Sequence, residues 1–238
     1  MPGENLHYIG DSAWCPYGRR SFEEIRERTG FLTDRLIQHG AKAIVIACNS
    51  ATIAAIESLR ASYPLPFIGM EPAVKPAAAL TKSGVIGVLA TEASLAGEKF
   101  HRLVNSHATG VRVITRPCPE FVDLVEAGIL EGAEADVAVD SHVQPLVGEG
   151  ADVLVLGCSH YPFLRPLIEK SAGENVSVID TGSPVARRLQ KLLEAEGALA
   201  SEDGESEVTI QTTGDLGQLK KLLPTLCPGI EAAVSEME

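Results

Sequence analysis

The sequence predicts an α/β protein built from parallel strands and helical crossovers, and three observations carry that prediction. Short apolar runs alternate with longer segments of helical periodicity, the pattern that strand-helix-strand units leave in a sequence. Two of those runs end alike, Ile44-Val45-Ile46-Ala47-Cys48-Asn49-Ser50 and Leu154-Val155-Leu156-Gly157-Cys158-Ser159-His160, as an internal duplication would leave them. The length of 238 residues is enough for two compact lobes, each with its own core.

In chain order, residues 6–9 are the first expected strand, followed by a loop over 11–18 that contains Pro16. Ser21 with Glu24 three residues on is a capping box, which opens a helix to about His39, and Gly40 ends it. Residues 43–47 form a β-branched run too short for a helix; a helix over about 51–59 follows. Pro64 and Pro66 bracket a short strand reaching Gly69, and 72–76 is expected as a crossover between lobes. The second half repeats the order: strand 85–90, helix about 95–105, strand 111–115, a helical stretch about 120–147, and strand 153–156. A helix over 185–195, a Gly/Glu/Ser-rich linker over 197–207 and a final strand near 208–212 complete the reading. The expected lobes are 1–75 with 186–238, and 76–185, with a cleft between them. A strand and helix precede the strand at 111, whereas nothing precedes Leu6, so the duplication expects one further β-α unit ahead of Leu6.

Charge excludes several partners. With 32 Asp+Glu against 20 Lys+Arg, the net charge is -12, and no basic stripe exists to neutralise nucleic acid or an anionic membrane. No apolar run approaches the roughly 20 residues that span a bilayer, and residues 1–5 lack the features of a signal peptide. A cytoplasmic location is expected. The five cysteines, Cys15, Cys48, Cys118, Cys158 and Cys227, are scattered and odd in number, so they read as free thiols rather than a disulfide framework.

In open α/β sheets, ligands gather beyond the carboxyl ends of strands, where loops meet helix N-termini. Cys48 and Cys158 both fall there. Free amides and the helix dipole favour a thiolate, so each thiol is expected to ionise appreciably near neutrality. Two facing lobes would bring the cysteines to opposite sides of one molecule, where one thiolate removes a proton and the other thiol supplies one, inverting a stereocentre. The plain alternative is a pair of small buried cysteines at strand ends. His160, two residues beyond Cys158, could shuttle or polarise its proton, or simply cap a helix. A zinc site from Cys158, His160 and Cys48 matches none of the usual short Cys/His spacings, so no metal is expected. The phosphate-binding G-x-x-x-x-G-K-[ST], the dinucleotide G-x-G-x-x-G and the metallopeptidase H-E-x-x-H are all absent. Cys15, Cys118 and Cys227 have no counterpart elsewhere in the chain and are expected to pack rather than react.

Three stretches then carry a resemblance: Gly10-Asp11-Ser12-Ala13 leading to Pro16-Tyr17-Gly18, Ala47-Cys48-Asn49-Ser50-Ala51, and Gly157-Cys158-Ser159-His160-Tyr161-Pro162. Gly87-Val88-Leu89-Ala90-Thr91-Glu92-Ala93-Ser94, Cys118-Pro119 through Glu126-Ala127-Gly128, and Asp180 at a strand end agree with it. Over nearly its whole length the chain resembles the glutamate racemases of the aspartate/glutamate racemase superfamily. That resemblance implies two flavodoxin-like lobes with the active site between them, no cofactor, homodimers, and D-glutamate for peptidoglycan as the product. It carries Cys48 and Cys158 over as the two acid/base residues, with His160 and Glu126 assisting Cys158. Pro16, Tyr17, Gly18, Asn49, Ser50, Thr91, Ser94, Ser159 and His160 carry over as the substrate-binding set.

Two departures stand out. The family more often has threonine at Ser50 and Ser159, and the hydroxyl is kept. The family also begins with a strand ending in Asp-Ser-Gly, whose aspartate assists the first cysteine, and this sequence starts after that unit, as the duplication also expects. The resulting expectation is weak or no turnover for the chain as written and activity for an upstream-extended one. The rivals are a racemase for aspartate or a related amino acid, and a shortened homologue that binds without turnover.

Overall fold

A computed structural model describes residues 1–201 and 204–237. The elements follow in this order: β1 (Leu6–Gly10), α1 (Phe22–Gln38), β2 (Ile44–Ile46), α2 (Asn49–Ser62), β3 (Phe67–Gly69), α3 (Val74–Leu80) and β4 (Val85–Ala90). Next come α4 (Glu92–Ala96), α5 (Glu98–His107), β5 (Arg112–Pro117), α6 (Pro119–Ala127), α7 (Ala133–Gly148) and β6 (Val153–Gly157). Finally there are α8 (Arg165–Ala172), β7 (Ser177–Ile179), α9 (Gly182–Ala195), β8 (Val208–Thr212), α10 (Leu216–Leu226) and β9 (Ala233–Glu236). Short 3-10 turns at Tyr17–Arg19 and Tyr161–Leu164 follow β1 and β6.

Every strand pair is parallel, as the strand-helix alternation requires. The second half forms one sheet in the order β5-β4-β6-β7. Its central strands are apolar throughout because both faces are covered, and successive residues go to opposite sides. Leu89, Leu154 and Leu156 pack with Phe121, Leu146, Tyr161, Leu164 and Ile168 on one face. Ile86, Val88, Val153 and Val155 pack with Val74, Ala77 and Phe100 on the other. Each large aliphatic side chain removed from water in this way contributes about 1.5–3 kcal/mol.

The first half is divided. β1, β8 and β9 make one sheet and β2 with β3 another. A third core lies under the latter, where α1 supplies Ile25 and α2 supplies Ala55, Ile56 and Leu59 against Ile44, Ile46 and Phe67. In the second half β4 stands between β5 and β6, but among the described residues no strand stands between β1 and β2. Leu6 and Tyr8 on β1 are exposed.

The capping box at Ser21 and Glu24 is formed with both of its hydrogen bonds, and α1 stops short of Gly40, which takes a left-handed φ of 80°. Several expected elements are corrected. The helical stretch expected over 120–147 is two helices, because Gly128 adopts a φ of 73° and its N–H closes on the carbonyls of Leu124 and Val125. The stretch at 72–76 is not merely a crossover: α3 starts at Val74 and tolerates Pro76 in its first turn, where an N–H would have no helical partner. The helix expected at 95–105 is broken at Gly97 into α4 and α5. The strand at 208–212 is not the last, since α10 and β9 follow and make β8 the centre of its sheet. Within the expected linker, residues 202 and 203 lie outside the described residues. Among the described residues no helix is long and apolar enough to cross a membrane.

Candidate active site

Both strand-end cysteines sit where their strands hand over to a turn. Cys48 is the N-cap of α2, and its sulfur accepts a hydrogen bond from the Ala51 N–H at 3.5 Å. That capping is why α2 begins at Asn49 rather than at 51. The expectation that this thiol ionises near neutrality is corrected: burial pushes it up to about 11, outweighing the helix amides that favour the thiolate. The charge of Cys158 pushes the same way. A thiolate at Cys48 therefore needs a bound ligand or a nearby cation to stabilise it.

Cys158 is buried at the end of β6, and the turn that follows returns His160 toward it. Nδ1 of His160 lies 3.9 Å from the Cys158 sulfur, while Nε2 lies 2.7 Å from Oε1 of Glu126. Glu126 comes from the last turn of α6, so three separate segments meet here. Burial opposes charging the imidazole, but hydrogen bonds to Cys15, Cys158 and Glu126 overcome it and hold the histidine well above its ordinary range. The histidine in turn holds the Glu126 carboxyl below its usual value against the opposing effect of burial. The group beside Cys158 is thus an imidazolium paired with a carboxylate, suited to stabilise a thiolate or to return a proton to it.

Asn49 is buried, and neither its amide nitrogen nor its oxygen has a protein partner. A buried amide left this way costs about 1–3 kcal/mol unless a ligand or water pairs with it, so it is suited to hold both a donor and an acceptor of a bound molecule. Next to it, Ser50 makes hydrogen bonds to Thr91 at 2.9 Å and Ser94 at 3.2 Å, and Thr91 donates to Ser94 at 2.9 Å. Thr91 also caps α4 through the Ser94 N–H. Three hydroxyls from the two halves of the chain therefore close on one another. A fold that spends three buried hydroxyls in one cluster has donors to offer an anion without a fixed positive charge.

The loop after β1 reaches across to this cluster. Gly18 packs so tightly on Thr91 that a Cβ there would stand 2.7 Å from the threonine Cβ. Pro16, Gly18 and Ser159 are half-buried. The Tyr17 hydroxyl donates to Asp11 at 2.5 Å, so the phenol is engaged in ordering its own loop. Arg28 adds a salt bridge of 2.6 Å to Asp11, and Thr213 donates to it at 2.8 Å. Burial raises the Asp11 pKa, and these hydrogen bonds more than reverse that.

Two residues of the cluster carried no assignment from sequence or a different one. Asp11 is the anchor of the loop, and its position directly after a strand, beside Ser12, was the available signal. Cys15 packs against the core as expected, and it also places its sulfur 3.5 Å from Glu126 and 4.0 Å from Nε2 of His160. Having no counterpart in the duplication, it gave no signal. Cys118 packs as expected, fully buried in the core.

The class that this geometry defines is a parallel α/β protein whose strand ends carry thiols, hydroxyls and one histidine-carboxylate pair, with the Ser50–Thr91 contact joining the two halves of the chain. Residues 1–189 match the family described as Asp/Glu/Hydantoin racemase. The chain is 48% identical over 227 residues to the glutamate racemase of Ectopseudomonas mendocina (strain ymp), covering 95% of this chain and 86% of that one. It is 46% identical over 222 residues to the glutamate racemase of Herpetosiphon aurantiacus, covering 93% and 87%. Its fold superposes on glutamate racemase isoform RacE1 from Bacillus anthracis with a TM-score of 0.88 at 31% identity, over 100% of this chain and 89% of that one. For the Escherichia coli glutamate racemase in complex with L-glutamate and the activator UDP-MurNAc-Ala, the TM-score is 0.87 at 27% identity, over 99% and 89%. The chain belongs to the Asp/Glu/hydantoin racemase family.

Proposed function

We propose that the protein interconverts L- and D-glutamate by a two-base exchange between Cys48 and Cys158. The observation that carries this reading is the equivalent placement of the two thiols after the parallel strands β2 and β6, each at a strand end. One thiolate takes the α-proton, and the opposite thiol delivers a proton to the other face of the carbanion, so that configuration inverts. In the reverse direction the roles exchange. The His160–Glu126 pair offsets the charge on Cys158 when it is the thiolate, and Asn49 with the hydroxyls of Ser50, Thr91, Ser94 and Ser159 holds the substrate's carboxylates and amine. Pro16, Tyr17 and Gly18 shape the loop that closes over it, and Tyr17 acts through Asp11. The chemistry uses only the chain's own side chains.

The same reading takes 1–75 with 186–238 as one lobe and 76–185 as the other. It makes the protein a cytoplasmic homodimer that supplies D-glutamate for peptidoglycan. The high identity to proteins named glutamate racemase supports glutamate over aspartate as substrate. Following the loss of optical activity of L-glutamate, L-aspartate and other L-amino acids tests this: glutamate is racemised at least about 100-fold faster than the rest, a discrimination within reach of side-chain hydrogen bonding. Equal or faster turnover of aspartate would overturn the assignment.

A further inference from the structure

Cys15 is a thiol for which the two-base exchange has no use, and besides packing on the edge of the core its sulfur faces two polar side chains. Its sulfur, the Glu126 carboxylate and Nε2 of His160 lie within 4.8 Å of one another, all half-buried, from three different segments. The separations are 3.5 Å from sulfur to carboxylate, 4.0 Å from sulfur to nitrogen and 2.7 Å from nitrogen to carboxylate. Tetrahedral zinc, with bonds of about 2.0–2.3 Å, sets donor separations of about 3.4–3.6 Å. Small side-chain rotations, closing one gap and opening another by well under an ångström, bring the three donors to that geometry. Thiolate, imidazole and carboxylate together are a donor set that zinc prefers over magnesium or calcium. The loop holding Cys15 is fixed as well, since the Cys15 and Trp14 N–H groups both donate to the Asp11 carbonyl.

We propose that Cys15, Glu126 and His160 form an inhibitory zinc site at the edge of the cleft, with water as the fourth ligand. As the Zn–S and Zn–N bonds form, the thiol proton of Cys15 and the Nε2 proton of the imidazolium leave to solvent. Glu126 turns its charge from the histidine to the metal. His160 is then pinned with only Nδ1 facing Cys158, and it no longer exchanges protons through Nε2. The site itself rests on the three donors alone; its inhibitory consequence rests on the racemase reading.

The test uses the whole protein, freed of metal with a chelator and titrated with zinc chloride and, separately, with cobalt(II) as a spectroscopic stand-in. One equivalent of metal binds per chain, and cobalt shows a thiolate charge-transfer band. Cys15→Ser abolishes that band and weakens zinc binding at least about tenfold, and Glu126→Gln weakens it as well. Cys227→Ser, a thiol outside the cluster, leaves both unchanged. Racemisation falls at least tenfold at saturating zinc and returns on adding the chelator. Failure to bind one equivalent, or a Cys15→Ser protein that keeps the band, would overturn the site. Full racemisation with zinc bound would overturn the inhibition. Because the cobalt band is read without substrate, a protein that binds metal but never racemises glutamate counts against the racemase reading and leaves the site standing.

Discussion

His160 turns its Nδ1 toward the sulfur of Cys158, 3.9 Å away, and gives its Nε2 to a carboxylate on the other side. The imidazole is thus a link between a buried thiol and Glu126, and both hydrogen-bond contacts favour its charged form. Replacing it with asparagine removes the charge that offsets a Cys158 thiolate. For His160→Asn we expect kcat to fall about 100-fold or more with KM changed little, the usual size of a lost acid/base contribution. Steady-state kinetics in both directions measure it.

The pH dependence follows from the same pair. The histidine pKa is raised, so the imidazolium persists through neutrality and is lost as the pH climbs through the folded value. The rate therefore has an alkaline limb set in part by His160. Because the Glu126 carboxylate is one of the groups that hold the proton there, Glu126→Gln moves that limb to lower pH. A pH-rate profile of the two proteins decides it, and an unmoved limb would count against the link.

Asp11 predicts a stability effect rather than a catalytic one. Its carboxylate is buried against Arg28 and receives hydrogen bonds from Tyr17 and Thr213. Asp11→Asn leaves the guanidinium unpaired and costs about 3 kcal/mol near neutral pH, as for other broken buried pairs. The folded-state pKa is depressed, so the stabilisation is present above the unfolded value of about 3.9 and is lost as the pH falls through the folded value. Urea denaturation of both proteins from pH 7 downward should show the gap closing only in the acid range.

The contact of Gly18 with Thr91 predicts a combined effect. Gly18→Ala puts a methyl group where the Thr91 side chain stands, and it displaces the threonine from Ser50 and Ser94. The cost of such overpacking is about 1–3 kcal/mol, and the expected readout is a raised KM for glutamate with lowered thermal stability. Ser50→Ala, which removes one buried hydroxyl without crowding, raises KM about tenfold and lowers stability by about 1 kcal/mol.

Much of this was legible in the sequence, for definite reasons. Leu154 to Leu156 are buried on both faces and Ile44 to Ile46 are buried on one and half-buried on the other, so both runs are apolar throughout and the cysteine after each is easy to place. Ser21 and Glu24 announced α1 because a capping box is a purely local device. The division between α6 and α7 was missed because apolar periodicity passes straight through Gly128, and only its left-handed backbone reveals the break. Asp11 and Cys15 were missed for another reason. Their partners, Arg28 and Thr213 for one, Glu126 and His160 for the other, come from distant parts of the chain, and no local pattern reports such meetings. The pKa of Cys48 was misjudged because the cap favouring the thiolate is visible in sequence, whereas the burial opposing it is not.

The most direct test of the two-base account is to replace Cys48 and Cys158 singly with serine in folded protein and follow racemisation of each glutamate enantiomer in D2O, by polarimetry and by α-deuterium incorporation. With both cysteines present, the inverted product carries one deuterium at the α-carbon. The account predicts that either substitution alone lowers racemisation at least about 1,000-fold, since a single base cannot serve both faces. Racemisation retained within about tenfold in either variant would contradict it.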